Sequence, residues 1–178
     1  GRDYTYSQPL RASNLSEGEH TLTYYAIDKL GNKEEQKTYQ FFVDKSAPRV
    51  ISEVIGNTFI ANGKEYFSGK TKLKLVAIDN KAGVKDIQFS INDGDYQAYT
   101  GPFLLSQAGD LDIDVITTDK VNNKKTIEKI SDKSKTQSYV DLSGPTLTTR
   151  FTGPAFVLGD TTYLNEKSKI VLKGTDSE

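Results

Sequence analysis

Four polar side chains carry most of the chemistry open to this sequence: Asp44, Asp79, Asp119 and Asn123. Each sits in a turn-like run, VDKSAP at 43–48, IDNKAG at 78–83 and TTDKVNN at 117–123. Three carboxylates, an amide and nearby backbone carbonyls are the oxygen-rich set that a hard cation such as Ca²⁺ takes. They can act together only if all three runs lie at one pole of a fold. The competing reading is three structural turns, because Asp and Asn side chains bond to their own backbone there. Lys45 and Lys120 directly follow Asp44 and Asp119, Lys81 stands two residues after Asp79, and all three are expected to neutralise these acids.

Catalytic chemistry has little support. The one histidine, His20, falls on an alternating segment and reads as a half-buried strand residue. A triad needs a nucleophile, a base and an orienting group that converge, and no such set is visible. Cysteine is absent, which removes thiolate nucleophiles, thiolate metal sites and disulfides. Glu34–Glu35 and Asp112/Asp114 read as solvated surface. No glycine-rich loop leads into a helix, so no nucleotide cradle is expected. The net charge is −1, giving no field for nucleic acid or an anionic membrane. No apolar run approaches the length of a bilayer span. The opening residues 1–4 carry no signal peptide, which reads as the start of an excised fragment of an exported protein. Ten Tyr and eight Phe suit thin sheets, and Tyr24, Tyr39 and Phe41 are assigned inward. Trp is absent, which weakens a glycan platform built on the remaining rings.

What must position the acids is a repeat. AIDKLGN at 26–32 aligns with TTDKVNN at 117–123, an offset of 91 that also carries Gly18 onto Gly109. VDKSAP at 43–48 aligns with VDLSGP at 140–145, an offset of 97. About six residues are therefore inserted between the anchors, and the Lys- and Ser-rich run 131–136 is the natural place. The 97 offset continues through 66–67 onto 163–164, 72–75 onto 169–172 and Asp79 onto Asp176. The expected units are the closing half of one repeat at 1–46, a complete repeat at 47–144 and the opening part of another at 145–178.

Period-2 alternation bounded by turn signals gives seven strands in the complete repeat. They fall at about 49–61, 71–78, 85–91, 96–100, 103–106, 111–118 and 124–141. Leu73, Leu75, Ala77, Ile87, Phe89, Ile91, Leu111, Ile113 and Val115 are assigned inward. No capped 3.6-residue pattern survives, so the fold class is all-β, a series of antiparallel sandwiches.

The turn at 26–32 with Glu34 and Glu35, the exit FVDKSAP at 42–48 and the run from Ile78 to Phe103 together resemble bacterial Ig-like repeats. The likeness is greatest to the type described in leptospiral outer-membrane proteins, and it covers essentially the whole chain. It implies tandem Ig-like or fibronectin-III-like sandwiches in an extracellular or cell-surface bacterial protein. The implied role is non-catalytic, a spacer, stalk or adhesin-like segment whose partners are neighbouring repeats. Two alternatives remain: a module binding a host protein or glycan, and an accessory region of a secreted enzyme. The resemblance implies no resident cofactor, and Ca²⁺ at Asp44, Asp79, Asp119 and Asn123 is the one ion considered. Asn122 stands where the first copy has Gly31, a departure that bears on the geometry of that hairpin.

Overall fold

The computed structural model describes residues 4–130 and 137–176. Among them the chain is all-β, with a single 3₁₀ turn at Ala12–Asn14 and several antiparallel sheets, an arrangement consistent with a β-sandwich. Strands form where β-branched and aromatic residues alternate with polar ones, and they stop at residues that tolerate positive φ.

The first ladder pairs β1 (Gly18–Tyr24) with β2 (Lys37–Val43), running from Gly18↔Val43 to Tyr24↔Lys37. The central part holds eleven strands, not seven. They are β3 (Arg49–Ile55), β4 (Thr58–Ala61), β5 (Lys64–Ser68), β6 (Lys72–Ile78), β7 (Val84–Ile91), β8 (Gln97–Ala98), β9 (Phe103–Leu104), β10 (Gly109–Asp110), β11 (Ile113–Asp119), β12 (Lys124–Ile127) and β13 (Gln137–Asp141). The expected strand at 49–61 is broken at Gly56, whose φ of +132° suits glycine and whose Cβ position would lie 3.2 Å from the Thr71 backbone. The chain leaves the β3-β6-β9 sheet there and enters a second one, ordered β10-β13-β5-β4. Asn62 and Gly63, both at positive φ, turn β4 into β5, a strand the alternation at 64–68 did not reveal. A third sheet runs β12-β11-β7-β8. The turn after β7 is centred on Asn92 and Asp93, both left-handed, with Gly94 N–H closing it onto the Ile91 carbonyl. It therefore lies one residue before the Asp-Gly pair that signals it.

One hydrophobic cluster joins the three sheets. It contains Phe67, Leu73, Leu75, Phe89, Leu105, Leu111, Ile113, Val115 and Val140. Of the residues assigned inward, Leu73, Leu75, Phe89, Leu111, Ile113 and Val115 are buried, and Ile87 and Ile91 pack against them. Each such side chain contributes about 1.5–3 kcal/mol relative to exposure. Phe89 stacks on Phe103 at 4.1 Å, and Tyr99 lies edge-on to both rings. The Tyr99 hydroxyl accepts the Leu75 N–H at 3.0 Å, past the point where β9 stops pairing with β6.

The last part holds β14 (Thr146–Thr152) paired with β17 (Lys169–Thr175), and β15 (Ala155–Leu158) paired with β16 (Thr161–Leu164). Both ladders reproduce central ones 97 residues earlier. Arg49↔Ile78 corresponds to Thr146↔Thr175, and Thr58↔Phe67 to Ala155↔Leu164. Side chains follow: Thr71 Oγ1 donates to the Asn57 carbonyl, and Ser168 Oγ to that of Pro154. Gly153, at φ +95°, breaks β14 from β15 as Gly56 breaks β3 from β4.

The 91 offset is equally concrete near the turn, where the Ile27↔Lys33 bridge matches the Thr118↔Lys124 pair. Gly18↔Val43 matches Gly109↔Val140, which is 91 on one strand and 97 on the other. The extra residues therefore enter between β12 and β13. The run 131–136, to which they are assigned, lies outside the described residues.

Candidate functional site

The Asp119 turn shows why acids are placed where they are. Its Oδ1 accepts the N–H of Val121 at 2.9 Å and of Asn123 at 2.7 Å, and its Oδ2 accepts the Asn123 side-chain amide at 2.8 Å. Asp28 makes the same three bonds, to Leu30 N–H, Asn32 N–H and the Asn32 amide, at 2.9, 2.8 and 2.8 Å. The left-handed position in the turn is Gly31 at φ +90° in one copy and Asn122 at φ +70° in the other. Asn tolerates that region, so the substitution leaves the hairpin geometry intact. The bonds from Asn32 and from the turn backbone hold the Asp28 carboxyl below its ordinary range.

Asp79 repeats two of these three bonds, with Oδ1 accepting Lys81 N–H at 3.0 Å and Gly83 N–H at 2.8 Å. Asp44 caps the linker through Ser46 N–H at 3.1 Å and reaches the Asp79 loop, its Oδ2 accepting Ala82 N–H at 2.9 Å. The Asn123 amide closes the set by donating to the Asp44 carbonyl at 3.0 Å. The four residues singled out from sequence thus meet at one place. One carboxylate oxygen from each of Asp44, Asp79 and Asp119 lies within 4.8 Å of the others. Asp119 is fully buried, and the other two are partly so.

Two expectations change. The lysines do not pair with these acids among the described residues. Lys45 Nζ donates to the Ser13 carbonyl, Lys81 Nζ lies 4.7 Å over the Phe42 ring, and Lys120 lies along Gly83. Backbone N–H groups already take the inner carboxylate oxygens, and a side chain adjacent in a turn points away from them. Asn123 presents its NH₂ group, a donor, to the cluster, so it braces the acids in this arrangement and offers them no oxygen.

The electrostatics need compensation. Two carboxylates 4.8 Å apart repel by about 3.5 kcal/mol at an effective dielectric constant of about 20. Seven N–H bonds, six from backbone positions and one from the Asn123 amide, cover much of this. Asp79 Oδ2 accepts no hydrogen bond among the described residues, and this oxygen could add a cation contact.

The linker itself is fastened by a contact that the sequence did not signal. Thr117 Oγ1, fully buried on β11, donates to the Pro48 carbonyl at 3.1 Å. His20 behaves as expected for a strand residue, stacked on Phe41 with a ring nitrogen 2.8 Å from the Ser16 carbonyl. Tyr24 and Tyr39, assigned to a core, are 47% and 62% exposed, because no described sheet covers their face of the β1–β2 ladder. No helix among the described residues is long and apolar enough to cross a membrane. No family model matches the sequence, and no significant match to a curated protein or a solved structure was found.

Proposed function

We propose that the chain is a non-catalytic segment of tandem Ig-like sandwiches, serving as a spacer or stalk in an exported bacterial surface protein. The observation that carries this reading is the shared register, in which two antiparallel ladders and a side-chain bond recur 97 residues apart. Repeats of about this length suit Ig-like units. The joint at Asp44, Asp79, Asp119 and Pro48 is the working part of such a spacer, since bonds from linker to loops limit bending. Scattering from the chain in solution tests it. A compact particle of this length has a radius of gyration of about 16 Å, and a line of units lies well above that. A value near the compact limit removes the spacer reading.

A second reading concerns the same joint. Three converging carboxylates without a basic partner among the described residues favour a hard cation such as Ca²⁺, which would stiffen the linker. Melting with Ca²⁺ and with chelator tests it, and identical curves count against it.

A further inference from the structure

We propose that a cavity between the β3–β6 and β4–β5 ladders binds a small organic ammonium ion, a cationic amine on an apolar body of about benzene size. The cavity has a volume of about 230 Å³ and is lined by Ser52 and Val54 of β3, Glu65 and Phe67 of β5, Leu73 of β6, and Leu105 and Leu111. Phe67, Leu73, Leu105 and Leu111 are 3%, 3%, 1% and 4% exposed and form its floor. Val54 and Glu65 are only partly buried and mark its mouth. Close-packed cores hold few voids larger than a water molecule. An apolar cavity of about 150 Å³ already takes up benzene. A larger space in the middle of this core is sized for a ligand.

The carboxylate gives the site its sign. Glu65 shares a strand face with Phe67, which belongs to the core cluster, so alternation turns both inward. Its neighbours across the ladders are Ile60 and Ser138, neither of them charged. Lys64, next in sequence, faces the other way, with Nζ 3.7 Å from Asp110 and over the Tyr139 ring. Among the described residues Glu65 has no ion-pair or hydrogen-bond partner. A carboxylate at the mouth of an apolar cavity selects a ligand that is apolar at one end and cationic at the other. The ladders 97 residues on supply an internal comparison. Phe151 pairs with Ile170 where Val54 pairs with Leu73, and Thr162 pairs with Val157 where Glu65 pairs with Ile60. The larger ring and the loss of the acid come together there, so space and charge go together in the central part.

Titration of benzylamine into the whole chain, followed by amide NMR shifts, tests the proposal. The amides of Val54, Glu65, Leu73 and Leu105 should shift saturably, with a Kd in the millimolar range or tighter for a ligand of this size. Benzyl alcohol, a neutral analogue of the same shape, should bind about tenfold more weakly, because a charge-assisted hydrogen bond is the stronger one. Glu65→Gln keeps the shape and removes the charge. It should weaken benzylamine about tenfold and leave benzyl alcohol unchanged. Val54→Phe fills the space as Phe151 does and should abolish binding of both. No saturable shift at about 10 mM benzylamine overturns the proposal. So does benzyl alcohol binding as well as the amine, an unchanged benzylamine affinity in Glu65→Gln, or full binding to Val54→Phe. Should Val54→Phe not fold, the comparison of wild type with Glu65→Gln decides.

Discussion

Thr117→Val isolates the bond between the linker and the central core. The two side chains are nearly isosteric, so no cavity opens, and the change removes only the donor to the Pro48 carbonyl. Pro48 and Thr117 are both fully buried, so water does not readily replace the lost partner. An unpaired buried carbonyl costs about 1–3 kcal/mol. Valine recovers part of this because its added methyl is buried, at about 0.8 kcal/mol per buried carbon. A net loss of about 1 kcal/mol is expected, a fall in Tm of about 4–8 °C for a unit of this size. Thr117→Ser is the control: it keeps the donor and loses one methyl, at a similar cost. The two variants should differ in where they act. Only the valine frees the linker, so amides at 44–48 should exchange faster in Thr117→Val and stay protected in Thr117→Ser. Urea unfolding followed by tyrosine fluorescence and residue-resolved exchange supplies both readouts. A neutral or stabilising valine, or linker amides unchanged in it, refutes the assignment of Thr117 as the fastener.

Other outcomes follow from the same geometry. Gly56→Ala should destabilise the central part by about 1–3 kcal/mol, because φ is +132° and the new Cβ meets the Thr71 backbone; denaturant midpoints check it. The Asp28 carboxyl titrates below its unfolded value, so its contribution is complete above about pH 4 and lost as pH falls through the lower folded value. NMR titration should show Leu30 and Asn32 amides shifting in that acid window, and Asp28→Asn should abolish the shift. Ca²⁺ should raise the Tm of wild type and not of Asp79→Asn; at a hundredfold excess over Kd the gain is about 2.7 kcal/mol.

Local chemistry made much of this legible. Alternation placed Leu73, Leu75, Ile113 and Val115 in the core, and the turn runs placed the three acids, because both depend on neighbours in sequence. The parallel pairing of β13 with β5 was not legible, since residues 137–141 and 64–68 are far apart and nothing local marks them as partners. The break at Gly56 was hidden because 49–61 carries β-branched residues on both sides of Gly56 and a single glycine in a strand is compatible with a mere bulge. Lysine placement failed for a different reason. Adjacency in sequence brings charges close only when both side chains leave the same side of the backbone, and a turn sends them apart.

Comparison of Asp28 with Asp119 separates what belongs to the turn from what belongs to the joint. Their hydrogen bonds agree to about a tenth of an ångström, yet Asp28 is exposed and Asp119 fully buried. The turn is thus complete without a linker against it, and closing it is work that Asp119 does for its own hairpin. Contacts that exist only at the joint are those of Asp44 with Ala82 and Asn123, and of Pro48 with Thr117. Substituting Asp119 loosens the turn and the joint together. Substituting Asp44 leaves the turn bonds in place and removes the carboxylate that bridges linker and loop. On the proposed spacer reading, stiffness between units is therefore read at Asp44, and stability within a unit at Asp119.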